Sequence, residues 1–394
     1  MHIKIDENKI DEILTRGTSE AIDAKNLKKK LMSGKRLRVK LGIDPTSPNI
    51  HIGRSVVLLK LKDFQDLGHQ VVLIIGDFTG MVGDTSDKDS ERPMLSEKQI
   101  KENMKTYVKQ AGKILDIKKA EIKYNSKWLK KLRFAEIGKL ANKFSLGEFI
   151  ARENIRKRLD EQKQVSLREL IYPLMQGYDS VAVKADVELG GTDQRFNLLA
   201  GRTIQGLYNQ ESQDILMTNL IAGTDGRKMS SSWGNTINLT DEPKEMFGKV
   251  MSISDDLIVT YFAHCTRVDL HKVREYEKQL LSKTINPMDI KMELAFEITK
   301  IYWGEKGAKE GKSYFVSTFQ QKNIPDEIPE FKLAGTNVVD ILFQTRLADS
   351  KGDAKRLIKQ GAIEINGKKI TSIDEVVEKD SVIQKGKRFF VKII

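Results

Sequence analysis

Leu37-Arg38-Val39-Lys40-Leu41-Gly42-Ile43, the turn Asp44-Pro45-Thr46, and then His51-Ile52-Gly53-Arg54 make up the stretch on which the fold turns. Leu37 to Ile43 is a mainly apolar run of strand length, and Ser55 to Leu67 carries apolar residues at helical spacing. A strand passing through a short turn into a helix is the repeating unit of a parallel α/β sheet. The pattern returns at once: Val71 to Ile75 is unbroken Val/Leu/Ile, as a strand covered on both faces requires, and it ends in Gly76-Asp77-Phe78-Thr79-Gly80. Ligands collect at the carboxyl edge of such sheets. His51 and Gly53 stand at a helix start, where free backbone N–H groups and the helix dipole attract a phosphate.

Two further segments bear on chemistry. Asp214 to Ile221 reads as another strand, and it leads into a Gly/Ser-rich loop, Gly226-Arg227-Lys228-Met229-Ser230-Ser231-Ser232. A lysine on a mobile loop of this kind can close over a triphosphate from the far side. Tyr172, Gln176 and Asp179 fall at i, i+4 and i+7, on one face of one helix within the apolar stretch Leu170 to Val183. Pro173 is tolerable there if the helix starts close to Tyr172. A core helix rarely carries three polar positions on one face without a ligand. Blander readings exist for each residue alone. His51 would be a structural helix-start residue, Lys228 a surface lysine, Asp44 a turn former before Pro45, and Gly190-Gly191 a relieved bend. The combination outweighs them.

The chain has 394 residues, too many for one ordinary core, so two or three domains are expected. A net charge of +12 suits a polyanionic partner, although a lysine-rich surface kept for solubility has the same composition. The single cysteine, Cys265, excludes an internal disulfide framework and a cysteine zinc cluster and fits a reducing cytoplasm. No apolar run approaches ~18 residues and no signal-peptide pattern is visible, so neither membrane spanning nor export is expected.

Glu97 to about Asp160 reads as mostly helical, an insertion between two halves of the sheet. From Pro243 to Gln320 the pattern is all-helical, and the acidic stretch Pro325 to Glu330, with a second proline at 329, reads as a linker within residues 325–334. Residues 335–394 form a small module. Val339, Leu342 and Leu347 line one helix, Ala354, Leu357 and Ile358 a second, and Ile363-Glu364-Ile365-Asn366-Gly367 starts a hairpin with an Asn-Gly turn. Lys351, Lys355, Arg356 and Lys359 cluster on or beside the second helix, and Lys387 and Arg388 precede the last strand. This module resembles the RNA-binding fold first known from a small-subunit ribosomal protein, and its basic groups can track an RNA backbone without reading bases.

The two signatures, His51-Ile52-Gly53-Arg54 and Lys228-Met229-Ser230-Ser231-Ser232, resemble those of class I aminoacyl-tRNA synthetases. Gly42-Ile43-Asp44-Pro45-Thr46, Gly83-Asp84 with Arg92, the Tyr172/Gln176/Asp179 face and Gly190-Gly191-Thr192-Asp193-Gln194 narrow the resemblance to the bacterial tyrosyl-tRNA synthetase family, over nearly the whole chain. It implies a Rossmann-like parallel-sheet catalytic domain (1–225) with the helical insertion (97–160) at a dimer contact. A helical anticodon-side domain with the signature loop (226–324), the linker and the RNA-binding module would follow. It also implies an ATP-dependent, AMP-forming tyrosine–tRNA ligase, a cytoplasmic homodimer, with Mg2+ accompanying ATP and no protein-held metal or organic cofactor.

By resemblance, His51 and the Gly53 backbone hold phosphates, with Gly42, Thr46 and Met229 also at the ATP site. Gly191 and Asp193 meet the ribose, Lys228 meets the departing pyrophosphate, and Lys88 and Arg92 form a second mobile cationic arm. Asp84, Tyr172 and Gln176 match the family's ammonium and backbone contacts, Asp179 the acceptor for the phenol hydroxyl, and Asp44 and Gln194 belong to the tyrosine site. Three positions depart from the family pattern: Arg54 replaces a histidine, Ser231 a lysine, and Lys40 a tyrosine that touches the phenol. Arg54 keeps a donor for phosphate. Lys40 is expected either to donate to the phenol or to extend its ammonium to solvent. The alternatives are a tryptophanyl synthetase, another nucleotidyltransferase of the HxGH superfamily, and a non-catalytic RNA-binding relative. The polar helix face, the basic C-terminal module and intact Lys228, Asp179 and Gln194 argue against them in turn.

Overall fold

The computed structural model describes residues 2–86, 94–320, 328–332, 336–386 and 389–394. The chain divides into two compact units, residues 1–308 and 309–394. The first is built on a six-stranded sheet: β1 (Thr18–Ile22), β2 (Arg38–Ile43), β3 (Gln70–Ile75), β4 (Glu121–Tyr124), β5 (Val187–Gly191) and β6 (Asp214–Thr218), in the order β1-β6-β5-β2-β3-β4. Strands β2 to β6 pair in parallel, as the strand–turn–helix pattern requires. β1 departs from the all-parallel expectation: it lies antiparallel to β6 at the edge. None of its residues is buried, so Thr18-Ser19-Glu20-Ala21-Ile22 carries no apolar alternation that would mark it in sequence. Val39, Val71, Val72, Leu73, Ile74, Val187, Ile215 and Leu216 are wholly buried, which is why β3 reads as a continuous apolar run.

The stretch expected to be a mostly helical insertion is so, and it also supplies a strand. β4 pairs with β3 from within it, and the helices Phe134–Ala141, Leu146–Ile150 and Glu153–Asp160 follow. β4 is four residues long and half-buried throughout, too short and too mixed for periodicity to show. The polar-faced helix runs Leu167–Val183 and begins five residues before Tyr172, against expectation. Ser166 and Glu169 form a capping box that sets this start, and Pro173 sits inside the helix, removing one backbone bond. Arg158 grips the same Glu169 through two bonds, Nη1 to Oε2 at 2.7 Å and Nη2 to Oε1 at 2.9 Å, in a fully buried pair. The helices from Pro243 onward belong to the first unit as far as residue 308.

In the second unit, the helices Val338–Gln344 and Lys351–Lys359 pack on a five-stranded sheet of β7 (Glu330–Phe331), β8 (Ile363–Ile365), β9 (Lys368–Lys369), β10 (Val382–Lys385) and β11 (Phe389–Ile393). Asn366 and Gly367 both take positive φ, 48° and 76°, as the Asn-Gly hairpin turn requires. The stretch read as linker is in part a strand: β7 pairs in parallel with β11. Two residues of pairing leave no trace in a Pro-flanked acidic sequence.

Candidate active site

A cleft of about 740 Å³ opens over the carboxyl ends of β2, β3 and β5. Gly42, Asp44, Thr46, His51, Gly53, Arg54, Asp84, Tyr172, Gln176, Asp179, Gly191, Asp193, Gln194, Lys228 and Met229 all line it. The sequence singles out every one of these residues. Lys88 and Arg92 lie outside the described residues.

The two signatures meet at one point. His51 caps the helix Ile52–Asp66 in extended conformation without a side-chain cap bond, and the Gly53 N–H donates to Met229 Sδ at 3.4 Å, 176 residues away in sequence. His51 is buried and its Nδ1 has no hydrogen-bond partner. Burial, helped by the positive charges of Arg54 and Lys228, lowers its pKa to about 3. At neutral pH it is therefore an uncharged imidazole offering one N–H. Arg54 turns onto the β2 turn: Nη2 donates to Thr46 Oγ1 at 3.0 Å, and Nη1 to the Asp44 carbonyl and the Tyr107 hydroxyl, both at 3.3 Å.

Across the cleft, Lys228 Nζ pairs with Asp193 Oδ2 at 3.2 Å. Asn235 ties the Lys228 loop, donating to Asp225 Oδ1 at 2.7 Å and accepting from Ser230 N at 2.8 Å. Gly191 leaves room there; a Cβ would lie 2.5 Å from Asp193 Oδ1.

The deeper end is a hydrogen-bonded chain. The Tyr172 hydroxyl donates to Asp44 Oδ2 at 2.9 Å, and Thr79 Oγ1 donates to Asp44 Oδ1 at 2.6 Å. Asn125 Nδ2 donates both to Thr79 Oγ1 at 2.9 Å and to Asp179 Oδ2 at 3.2 Å, and Trp128 Nε1 donates to Asp179 Oδ1 at 2.7 Å. Gly76 permits the approach, because a Cβ there would fall 1.9 Å from Asp44 Oδ1. Burial pushes Asp179 up to about 7, opposed by Lys40 and by the Trp128 and Asn125 bonds, and pushes Asp44 up to about 6. Burial first, then the neighbouring carboxylates, keeps the Tyr172 phenol well above its usual range, so it remains a donor. Gln194 Nε2 donates to Asp84 Oδ2 at 2.7 Å and so positions that carboxylate.

Lys40 meets neither expectation. It is fully buried beneath the cleft, in an ion pair with Glu188 Oε1 at 2.8 Å, and its Nζ also donates to Ser180 Oγ at 2.8 Å and the Gln176 carbonyl at 2.9 Å. An ammonium has three donors, and all three are committed, so none is left for a phenol or for solvent. Sequence reading also passed over Thr79, Asn125, Trp128, Ser180 and Glu188. Two signals were present. Lys40 and Glu188 are charges among the apolar residues of strands, and Thr79 lies in the loop Gly76–Gly80 at the carboxyl edge of β3.

The sequence matches the family described as tRNA synthetases class I (W and Y) over residues 32–320, and the tyrosine–tRNA ligase SYY-like C-terminal domain over 320–392. This chain belongs to the class I tRNA synthetases of that group. It is 47% identical over 97% of its length to the tyrosine–tRNA ligase of Thermotoga maritima, covering 96% of that protein. It is 46% identical to tyrosine–tRNA ligase 2 of Clostridium acetobutylicum, over 98% of this chain and 99% of that one. Among solved structures, the tyrosyl-tRNA synthetase of Archaeoglobus fulgidus complexed with L-tyrosine aligns with a TM-score of 0.62 and 22% identity, over 78% of this chain and all of that one. That likeness bears on the class I synthetase fold alone.

In the second unit Lys351, Lys355, Arg356 and Lys359 are exposed on the helix Lys351–Lys359; Lys351 pairs with Asp340 at 2.7 Å and Arg356 with Asp353 at 2.5 Å. Lys387 and Arg388 lie outside the described residues.

Proposed function

We propose that this synthetase is a tyrosine–tRNA ligase whose cleft joins tyrosine to AMP, with ATP as substrate, and then passes tyrosine to the terminal adenosine of tRNA(Tyr). The meeting of Gly53 with Met229 beside a deep polar chain ending at Asp179 carries this reading. The amino-acid carboxylate attacks the α-phosphorus, the P–O bond to pyrophosphate breaks, and no covalent enzyme intermediate forms. The protein therefore contributes position and charge.

The triphosphate lies along the start of the helix Ile52–Asp66, taking the N–H groups of His51 and Gly53. Arg54 holds the Gly42–Thr46 turn against it. The ribose sits against Gly191 with Asp193 as acceptor, and Lys228 exchanges Asp193 for phosphate oxygens as charge builds on the leaving pyrophosphate. Lys88 and Arg92 supply a second cationic arm. Mg2+ enters with ATP as part of the substrate, held mainly by phosphate oxygens. Asp84, set by Gln194, and the Gln176 amide take the tyrosine ammonium, with Tyr172 and Asp44 walling that end. Asp179 accepts the phenol proton donor.

Residues 1–225 form the activation domain, 226–324 the anticodon-side helices, and 335–394 an RNA-binding module whose Lys351, Lys355, Arg356, Lys359, Lys387 and Arg388 track the tRNA backbone. A homodimer forms through the insertion, where Phe134 is 91% exposed and Leu146, Ile150 and Leu159 are also exposed. The enzyme works in the cytoplasm, where a lone free thiol such as Cys265 persists. Among the described residues no helix is long and apolar enough to cross a membrane.

Single-turnover adenylate formation tests the site. Lys228→Ala should slow the chemical step with tyrosine Kd unaltered, whereas Asp179→Asn should weaken tyrosine binding with ATP Kd unaltered. The same parameter falling in both variants would contradict the division of the cleft.

A further inference from the structure

Lys40 on β2 and Glu188 on β5 stand directly opposite each other in the sheet, both buried, and both against the underside of the helix Leu167–Val183. Glu188 Oε1 accepts from Lys40 and from Gln176 Nε2 at 3.1 Å; Oε2 accepts from Ser180 Oγ at 3.0 Å and from Gln213. Apart from their bond to each other and the one from Gln213, the polar atoms of the pair are thus spent on the segment 176–180, one turn of helix that presents Gln176 and Asp179 to the cleft. A buried ion pair is weak evidence for stability, because well-packed apolar residues would serve as well or better. Its position calls for another reason.

We propose that Lys40 and Glu188 are a positioning pair for tyrosine: together they lock Gln176 and the turn that carries Asp179, and the Lys40 ammonium is the cation set against the carboxyl group that accepts the phenol hydroxyl. The inference rests on the reading of Asp179 as that acceptor. The groups facing Asp179 are Lys40 from β2, Glu188 from β5, and Asn125 and Trp128 from the segment after β4; Tyr172 is on its own helix. Of these, only Lys40 is a cation. With Trp128 and Asn125 already donating, a third donor from the phenol is best accepted by an ionised carboxylate. The Lys40 charge lowers the pKa of Asp179 and the Glu188 charge raises it. The geometry of the pair fixes Gln176 with its Nε2 on Glu188, leaving Oε1 as the acceptor for the substrate ammonium.

The pair therefore makes a signed requirement that a purely structural role does not. Tyrosine Kd is measured by equilibrium dialysis from pH 5.5 to 8.5 on the full-length chain. In Lys40→Met the acid limb should move to higher pH, and in Glu188→Gln to lower pH, each by on the order of one unit. Tyrosine Kd at pH 8 should rise about tenfold or more in Lys40→Met, with ATP Kd unaltered. Phenylalanine has no hydroxyl, so its weaker binding should show no shift in either variant. Should Lys40→Met alone prove insoluble, the double variant Lys40→Met/Glu188→Gln should bring the limb back above that of Glu188→Gln while tyrosine Kd stays raised. Limbs that stay put or move together in the variants obtained would overturn the proposal. Asp179→Asn separates the two levels: an unchanged tyrosine-over-phenylalanine preference in that variant would refute the acceptor reading itself.

Discussion

Asp179 carries opposed demands. Burial holds its native pKa near 7, well above an ordinary aspartate. The native state therefore binds a proton that the unfolded chain has released, between about pH 4 and pH 7. The favourable contribution is present in full below the unfolded pKa and is lost as pH rises through about 7. Asp179→Asn removes the buried charge, so its Tm relative to the parent should improve from pH 5 to pH 8, while its tyrosine-over-phenylalanine preference falls. Thermal unfolding at the two pH values checks the first part, and a Tm difference independent of pH would contradict the buried-charge account. At this scale the sequence was informative wherever a residue belonged to a spaced pattern. Tyr172, Gln176 and Asp179 showed themselves by helical spacing, and His51 and Lys228 by their loops. Lys40 was misread because its partner is contributed by a strand far along the chain, and no local pattern says which strands are neighbours.

Between elements, the join that positions the site is the helix start at Ser166. Arg158, from the insertion, closes a bidentate pair on Glu169 of that capping box, and Glu169 also accepts from Thr85, the residue after Asp84. One carboxylate thus ties insertion, polar helix and Asp84 turn together. Truncating Arg158→Ala leaves Glu169 buried without its cation, at a cost of roughly 3–5 kcal/mol. Unfolding in urea should show that loss, and pyrophosphate exchange on the remaining folded enzyme should show a raised tyrosine KM. An unaltered midpoint would mean the pair is solvated and structurally idle. Strands β2, β3 and β6 were legible as mainly apolar runs, whereas β5 was not, because Glu188 and Gly190-Gly191 break its pattern. β1, β4 and β7 were not, since each is short, half-buried or exposed, and defined by its partner strand. The long reach of the Leu167–Val183 helix was hidden by Pro173, a residue that ordinarily marks a helix start.

Across the whole molecule, every residue assigned to activation precedes the helices that begin at Pro243, while the exposed basic helix Lys351–Lys359 lies in the second unit. Removing residues 321–394 should leave adenylate formation intact and lower tRNA charging steeply. Phosphate contacts release counterions, so tRNA affinity should fall with added salt more steeply for the full chain than for the shortened one. Equal slopes would deny the module an RNA-binding role. The helix–helix–hairpin pattern of the small basic module showed in composition and periodicity, whereas the strand β7, inside the acidic stretch read as linker, did not. On this reading the cleft selects tyrosine and couples it to ATP. ATP–pyrophosphate exchange run with each of the standard amino acids tests it most directly: tyrosine alone should sustain exchange in the full-length chain, with phenylalanine far below it, and exchange driven by another amino acid, or none with tyrosine, would contradict the account.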